Sequence, residues 1–319
     1  MRSWLVVLVL LGGCGLHTAV PAEPRSLVAK ADGPCAREPE VAGGKFRHTS
    51  SRLLSKLGEP RHRGVDLIAV EGDENQTLGG KLAYTAADKD LEGEHVELFA
   101  CVESEWRVLG GTRTDDGGRF ELTLQGTQRL PAGMHDLFAR VVGDGTGVRF
   151  LAYVAKVGEG VIVTDIDGTI TESENAIVNA VVFGDDIGHR RGAPAALANS
   201  GHTVVYVSAR GDQYTEVTRR WLREHGFPVG PIRLARAGFT APGKRTVAFK
   251  IAALRSLGVP IVAAIGNKRT DIEAYTNAGV APARIFVKLP EFEPELRDDL
   301  AHRRAIGFRD YRTLPTLLM

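Results

Sequence analysis

Cysteine, aromatic residues and net charge are all scarce in this chain of 319 residues. It has three cysteines, aromatic residues make up 7% of it, and 40 Lys and Arg residues stand against 39 Asp and Glu residues. General nucleic-acid binding needs a net basic face, so this balance argues against a nucleic-acid partner. Beyond the first residues, no apolar run is long enough to span a bilayer as a helix. The length instead predicts two domains with sufficient apolar residues for a core in each.

The amino-terminal residues have the pattern of an export signal. Arg2 supplies a charged start, Leu5 to Leu11 an apolar core too short for a permanent span, and Cys14 follows two glycines. This resembles the bacterial lipoprotein signal, which implies removal of residues 1–13 and acylation of Cys14, for example with palmitate. Gly15 rather than Asp after the cysteine implies an outer-membrane location, on the periplasmic or surface face. An ordinary cleaved signal peptide is the alternative, and it would also export the protein.

Two cysteines remain once Cys14 is acylated. In an oxidising compartment Cys35 and Cys101 could pair and tie the amino-terminal segment to the body of the protein, or they could be two separate thiols. Neither lies in a metal-binding or catalytic pattern. The sequence leaves the two alternatives open.

Residues 14–62 are predicted to form a tether, rich in Ala, Pro, Gly and Arg. Within it, four apolar residues fall on one helical face beside several basic ones. They are Phe46, Leu53, Leu54 and Leu57. Such a helix could lie on a membrane surface or pack on the next domain.

Two different patterns follow the tether. Residues 63–157 alternate in short runs separated by turn clusters, which predicts an antiparallel immunoglobulin-like β-sandwich with a structural or docking role. Residues 158–319 alternate strands with helices, which predicts a doubly wound parallel sheet. The predicted strands of the sandwich are 66–70, 81–84, 95–101, 107–109, 120–124, 136–142 and 149–155. The predicted strands of the second domain are 161–164, 203–207, 232–234, 260–265 and 284–287, and its helices lie near 193–200, 212–225, 244–257 and 271–278.

Two acids end the first strand of the second domain. Asp165 and Asp167 follow the apolar run 161–164 and share a face, since alternate strand residues point the same way. Parallel α/β sheets bind ligands outside the carboxyl ends of their strands. Two carboxylates there repel each other unless a cation or a proton relieves them. The pair therefore predicts a site for Mg²⁺-assisted phosphoryl transfer.

Further polar residues are expected at the same edge of the sheet. Ser208 and Arg210 follow the second strand, and Asn267 and Asp271 follow the fourth. Arg210 could contact an anionic substrate or pair with a surface acid. Lys250 is a candidate on a helix, with Lys244 as its rival. His189 lies in a loop and is expected to be solvated rather than catalytic.

These motifs, in this order, resemble the haloacid-dehalogenase-type phosphatases and, more narrowly, the lipin-type phosphatidate phosphatase domain. The matching stretches are Asp165-Ile-Asp-Gly-Thr-Ile-Thr171, Ser208-Ala-Arg210 and Gly266-Asn-x-x-x-Asp-x-x-Ala-Tyr275. The resemblance implies that Asp165 is the nucleophile and that Asp167 is the general acid and base, a role favoured by a raised pKa. It implies phosphate contacts from Thr169, Ser208 and Lys250. The implied Mg²⁺ ligands are Asp165, Asp167, Asn267 and, directly or through water, Asp271.

The preceding sandwich is similar to the region found in retinal-degeneration-B-type phosphatidylinositol-transfer proteins, which bind phosphatidic acid without an intact catalytic Asp pair. No domain-sized insertion separates Asp167 from the next strand, which leaves at most a flap at residues 172–191 and an open site. We therefore expect a phosphatase for phosphatidic acid or a related lipid phosphate, anchored to a bilayer. The alternatives are a non-catalytic phosphatidic-acid-binding module and an exported phosphatase for soluble phosphate esters. No protein partner is inferred.

Overall fold

Short strands form two facing sheets in the first part of the chain. The computed structural model describes residues 35–41, 43–173, 187–236 and 243–318, so Cys14 and the predicted signal lie outside the described residues. One sheet has five strands in the order β2-β10-β9-β6-β7, the other has the order β1-β3-β8, and β4 pairs with β5. The strands are β1 (Arg63–Val65), β2 (Leu67–Val70), β3 (Gln76–Lys81), β4 (Ala83–Tyr84), β5 (Lys89–Asp90), β6 (His95–Val102), β7 (Glu105–Arg113), β8 (Arg119–Leu124), β9 (Gly133–Val141) and β10 (Gly147–Ala155).

The two sheets enclose a core to which both contribute buried side chains, among them Phe120 of β8 and Phe150 of β10. The sandwich is not wholly antiparallel as the sequence predicted, because β2 pairs in parallel with β10, with Leu67 opposite Ala152. The cause lies at Asp66, the single residue between β1 and β2, where the chain passes from one sheet to the other. The chain therefore enters the larger sheet in the same direction as β10.

The amino-terminal segment is fastened to this sandwich. Cys35 and Cys101 form a disulfide, one of the two alternatives left open by the sequence. Helix α1 (Thr49–Leu57) follows, and Phe46 and Leu54 pack against the sandwich core. The packing alternative for this helix is therefore observed. The other two apolar residues of its face are exposed, Leu53 by 58% and Leu57 by 68%.

A six-stranded, wholly parallel sheet forms the second domain, with the order β13-β12-β11-β14-β15-β16. The doubly wound sheet is thus confirmed, and the strand order reverses at β11, which lies between β12 and β14. The strands are β11 (Val161–Thr164), β12 (Thr203–Gly211), β13 (Ile232–Ala235), β14 (Ile261–Gly266), β15 (Ile285–Lys288) and β16 (Ile306–Phe308). The helices are α2 (Ala193–Ala198), α3 (Thr215–Glu224), α4 (Lys244–Arg255), α5 (Arg269–Asn277), α6 (Glu293–Ala301) and α7 (Leu314–Leu318).

Helices cover both faces of this sheet, which explains the unbroken apolar run in β11. Ile162 packs into the cluster on one face, while Val161 and Val163 pack into the cluster on the other. The predicted helix stops at Gly201, Gly226, Gly258 and Gly279 all have a positive φ. Within the described residues, no helix combines the length and apolar character needed to cross a bilayer.

The two domains share buried surface. Ile68 and Tyr153 of the sandwich belong to the same apolar cluster as Val161 and Val205 of the parallel sheet. Beside it, the carboxylate of Asp66 accepts hydrogen bonds from Arg219 Nη2, at 2.8 and 3.0 Å, and from the backbone N–H of Ile232, at 2.7 Å. An apolar contact and a buried ion pair thus join the domains.

Candidate active site

Asp165 leaves the carboxyl end of β11 and is almost fully buried, with 5% of its surface exposed. Its backbone N–H donates to Ile265 O at 2.9 Å, which keeps it aligned with the end of β14. Thr169 Oγ1 donates to Asp165 Oδ2 at 2.9 Å, and Tyr311 donates its hydroxyl to Thr169 O at 2.9 Å. Thr169 therefore holds the carboxylate in place, and its predicted phosphate contact stays a prediction.

Lys250 of α4 lies between two carboxylates. Its Nζ is 2.6 Å from Asp165 Oδ1 and 2.6 Å from Asp271 Oδ1. Burial raises the pKa of Asp165 to about 7, although the ammonium of Lys250 opposes this rise. Burial by itself would lower the pKa of Lys250, but the two carboxylates raise it. The lysine is thus a fixed cation inside the site, whereas its rival Lys244 is exposed at the start of α4.

Asp271 uses both of its carboxylate oxygens inside the protein. Oδ1 accepts from Lys250, and Oδ2 accepts from the backbone N–H groups of Asn267 and Lys268, each at 3.0 Å. Gly266 makes this approach possible, since a Cβ there would lie 2.5 Å from Asp271 Cβ. Asp271 therefore positions Lys250 and the loop between β14 and α5, and its role as a metal ligand stays a prediction.

The carboxylate of Asp167 is held by two residues of β12, Ser208 and Arg210. Ser208 Oγ donates to Asp167 Oδ2 at 2.8 Å, and Arg210 donates to both carboxylate oxygens. The side chain of Arg210 is 3% exposed, and its Nη1 also donates to Thr218 Oγ1 at 3.1 Å. Burial would raise the pKa of Asp167, but Arg210 and Ser208 lower it below its ordinary value. The raised pKa that would favour the general-acid role is therefore not present while Asp167 is paired with Arg210, and that role stays a prediction.

Arg210 thus pairs with the proposed general acid itself and not with a surface acid.

His189 is half-buried, with its ring centroid 5.2 Å from that of His225 and 5.9 Å from that of Phe227. Two supporting residues escaped the sequence analysis. Thr218 is an unremarked residue of a helix, and Tyr311 lies far along the chain from the site, so neither belongs to a local motif. Most of the predicted flap, residues 174–186, lies outside the described residues.

Oxygen donors follow the carboxyl ends of β11 and β14. The Asp165 carboxylate, the Asp167 backbone carbonyl and the Asn267 side chain follow β11 or its neighbour β14, and oxygen is the ligand type that Mg²⁺ prefers. In the described part of the chain, no group of three or more His, Cys, Asp and Glu residues is arranged to hold a metal ion. The donor chemistry at this edge nevertheless suits a hard cation, because an amide and a backbone carbonyl complete the set.

The sheet and the site together define the class of domain. A doubly wound parallel sheet carries an acid pair where its strand order reverses, the position at which such sheets bind ligands. Residues 162–288 match the family model described as the LNS2 domain of PITM 1-3, and residues 60–154 match the beta-sandwich domain of PITM 1-3. The chain therefore has a β-sandwich followed by a domain that matches the LNS2 model. This confirms the resemblance of the sandwich to phosphatidylinositol-transfer proteins and the lipin-like character of the second domain, whereas the narrower resemblance to a phosphatidate phosphatase stays a prediction.

Several curated proteins share this region. Human membrane-associated phosphatidylinositol transfer protein 1 is 24% identical over 270 residues, which covers 82% of this chain and 21% of that protein. The human membrane-associated phosphatidylinositol transfer protein 3 is 26% identical over 261 residues, 80% of this chain and 26% of that protein. Nuclear elongation and deformation protein 1 of Schizosaccharomyces pombe is 30% identical over 172 residues, 46% of this chain and 26% of that protein. The chain thus spans about a fifth to a quarter of each of these relatives.

Proposed function

We propose that the protein is a Mg²⁺-dependent phosphomonoester hydrolase that acts on phosphatidic acid or a related lipid phosphate at a membrane. The observation that carries the proposal is the pair Asp165 and Asp167 at the end of β11, with Lys250 and Ser208 brought to it from other elements. Buried carboxylates beside fixed cations and hydroxyl donors are the parts that phosphoryl transfer needs.

The reaction takes two steps. A carboxylate oxygen of Asp165 forms a bond to phosphorus while the bond from phosphorus to the alcohol oxygen breaks, and Asp167 gives its proton to the leaving alcohol. Asp167 then takes a proton from water, the water oxygen attacks phosphorus, and inorganic phosphate leaves with Asp165 restored. To carry the proton, Asp167 must separate from Arg210. Arg210 and Ser208 would then be available to the phosphoryl oxygens.

Asp165, the Asp167 backbone carbonyl and Asn267 would hold the metal ion, with Asp271 close by or linked through water. Bound there, Mg²⁺ would supply positive charge to the transferring phosphoryl group. Lys250 already compensates one negative charge between Asp165 and Asp271. The chain's own contribution is therefore to fix the nucleophile before the substrate arrives.

Two observations support a lipid substrate. The relatives' names describe membrane association and phosphatidylinositol transfer, and the sequence between β11 and β12 is too short for a lid domain. An open edge suits a headgroup presented on a surface.

Acylation of Cys14 would hold the site near its substrate and raise the effective concentration of that substrate. Replacement of Cys14 by Ala should release the protein from the membrane fraction of a bacterial host. Retention there would contradict lipid anchoring.

The test is phosphate release with Mg²⁺ from phosphatidic acid in mixed micelles and from a soluble aryl phosphate. We expect release from the lipid, and we expect Asp165→Asn to lower its rate by about a thousandfold or more, since the nucleophile is lost. Asp298→Asn, a change at an exposed acid of α6 outside the site, is the matched control and should leave the rate unchanged.

The assay also separates the other candidates. The ion pair between Asp167 and Arg210 favours one of them, a module that binds phosphatidic acid without hydrolysing it, because a paired Asp167 carries no proton to donate. Lipid binding without Asp165-dependent release from either substrate would support that module. Release from the soluble ester alone would remove the lipid assignment.

A further inference from the structure

A cleft of about 940 Å³ lies between the sandwich and the α/β domain. The sandwich side is formed by the chain before β1, by β3 and by the loop between β4 and β5, and the other side by the turn after β12 and the start of α3. A second cavity of about 640 Å³ extends it further between the domains. Both cavities share the same central residues and therefore form one continuous cleft. These shared residues are Arg63, Lys81, Arg119, Asp212 and Arg236.

The walls of the larger cavity carry an excess of positive charge. Three acidic residues line it, Asp88, Asp212 and Glu216. Against them stand six basic residues, which are Arg61, Arg63, Lys81, Arg119, Arg220 and Arg236. Since the whole chain has a net charge of only +1, this excess is a local feature of the cleft. Closely spaced cations between two low-dielectric walls attract anions.

Part of this charge is already fixed in place. Arg63 pairs with Asp88 at 2.6 Å and with Asp212 at 2.9 Å, and Lys81 pairs with Asp88 at 3.1 Å. Arg119 Nη2 also lies 3.9 Å from Asp212 Oδ2, so the two aspartates are used by these three cations. Three guanidinium groups remain without an ion pair to any carboxylate of the described residues, those of Arg61, Arg220 and Arg236. All three are exposed to solvent and can bind a ligand without first breaking a pair.

The cleft also contains the amino-terminal end of a helix. Asp212, Gln213 and Tyr214 line the cavity, and α3, a helix of 10 residues, begins at Thr215. The amino-terminal end of a helix carries partial positive charge and favours anions. The start of α3 therefore adds positive potential to that of the basic side chains in the cleft.

The cleft lies beside the candidate active site. Arg210, which holds Asp167, is two residues from Asp212 on the cleft wall. Gly211 of β12 is aligned with Ala235 of β13, and Arg236 follows directly. The α/β wall of the cleft therefore continues from the carboxyl end of β12, the strand that carries Ser208 and Arg210, and from the end of its neighbour β13.

We propose that this cleft is a second anion-binding site, which takes a phosphate-bearing ligand next to the catalytic edge. The ligand carries at least two negative charges and is either a lipid headgroup or a free phosphate ester. Its phosphate lies against the guanidinium groups of Arg220 and Arg236, with Arg63 held behind them by Asp88 and Asp212. The binding does not depend on whether the neighbouring site hydrolyses its substrate.

The experiment measures binding of inorganic pyrophosphate to the full chain by isothermal titration calorimetry. The parent carries Asp165→Asn, so that turnover plays no part in the result. Arg220→Gln and Arg236→Gln should each weaken binding by about tenfold, because each removes one charge-assisted contact. Arg223→Gln is the matched control, since Arg223 is an exposed arginine of the same helix that does not line the cleft.

The outcomes separate the cleft from the catalytic site. Pyrophosphate binding that is unchanged by Arg220→Gln and Arg236→Gln overturns the proposal, as does binding that Ser208→Ala alone abolishes. Sedimentation with phosphatidylcholine vesicles that carry cardiolipin, whose headgroup holds two phosphate charges and no phosphomonoester, then identifies the source of the anion. A loss of sedimentation in Arg220→Gln but not in Arg223→Gln supports a headgroup in the cleft. Equal sedimentation of the two variants, with pyrophosphate binding still lost in Arg220→Gln, supports a free phosphate ester.

Discussion

Arg210 donates to both carboxylate oxygens of Asp167 and to Thr218 Oγ1, so its guanidinium is occupied on every side. An ion pair this well buried contributes little net stability compared with apolar residues, yet removal of one partner leaves the other charge unpaired. Asp167 is the exposed member, with 17% of its side chain accessible. The pair can therefore open towards the substrate side, where a phosphate could replace the carboxylate on Arg210.

The first prediction concerns this pair. Arg210→Gln should lower the free energy of unfolding by about 3 kcal/mol near neutral pH, since the Asp167 carboxylate loses its cation. The pair depresses the folded-state pKa of Asp167, so its stabilising effect is present above the ordinary pKa of Asp and is lost as the pH falls. The difference in the free energy of unfolding between wild type and Arg210→Gln should therefore become smaller at acidic pH. Urea unfolding at several pH values measures it.

A double-mutant cycle with Asp167→Asn provides the control. The double variant should recover most of the loss, because no unpaired carboxylate remains. Arg309→Gln, which breaks an exposed pair with Glu293, should scarcely change stability. A loss that is the same at all pH values, or that the double variant does not recover, would contradict the account.

Residue by residue, the site was predictable where chemistry is local in the sequence. Asp165, Ser208 and Asn267 each follow an apolar run that could only be a buried strand, so their meeting at one edge follows from topology. The partner of Arg210 was not predictable. Its choice between substrate, surface acid and Asp167 depends on side-chain direction, which a sequence pattern does not contain.

At the scale of elements, the junction between β14 and α5 is closely packed, because the Asp271 side chain lies against Gly266. Asp271 caps this turn through the N–H groups of Asn267 and Lys268 while it also accepts from Lys250. Because its side chain lies directly over Gly266, the turn and the charge network share one geometry. A change in the turn must therefore also move Lys250 relative to Asp165.

We predict that Gly266→Ala lowers the free energy of unfolding by about 2 kcal/mol, because a methyl group 2.5 Å from Asp271 Cβ must displace that side chain. It should also reduce Asp165-dependent phosphate release, since Lys250 loses one of its two carboxylates. Denaturant unfolding and the phosphatase assay measure the two effects. Gly43→Ala is the control, since no atom lies within 4 Å of the new Cβ. Wild-type stability in Gly266→Ala would refute the packing argument.

Helices and strands were predicted where apolar residues recur at a regular spacing, and they were missed where glycines or charged residues interrupt that pattern. Strand β3 contains Gly79-Gly80, which resembles a turn, but the ring of Phe120 takes the place of a side chain at Gly80. Helix α6 carries mainly charged residues, and Leu296 is its buried apolar residue. Tertiary contacts determine both elements, and a local pattern does not report them.

For the whole molecule, Asp66 is the joint between the domains. It is 1% exposed, and its carboxylate accepts from Leu151 N–H in the sandwich as well as from Arg219 and Ile232 N–H in the α/β domain. With the apolar contact at Ile68 and Tyr153, this joint leads us to expect that the two domains unfold together. Asp66 also lines the second cavity of the cleft.

The third prediction is that Asp66→Asn uncouples the domains. The change leaves Arg219 buried without its carboxylate and should lower the free energy of unfolding by about 3 kcal/mol. Trp106 reports on the sandwich and Trp221 on the α/β domain. In a Trp4→Phe background, the Trp106→Phe and Trp221→Phe variants each keep one tryptophan. Their fluorescence should show coincident urea transitions while Asp66 is present and separate transitions once the Asp66→Asn change is added.

Glu74→Gln, at an exposed acid in the turn after β2, is the matched control and should leave the transitions coincident. Coincident transitions in Asp66→Asn would show that the apolar contact alone couples the domains.

The disulfide between Cys35 and Cys101 determines how the molecule would carry a mechanical load. Cys101 lies on β6, which is flanked by β9 and β7 inside the five-stranded sheet. Tension applied to the chain before Cys35 would pass through the sulfur atoms directly into that strand. The chain from 36 to 100, which the disulfide bypasses and which includes helix α1, would carry no tension. If acylated Cys14 fixes the protein to a bilayer, a force that pulls the α/β domain away from the membrane would therefore act on the sandwich. The disulfide would link the sandwich covalently to the tether that leads to Cys14.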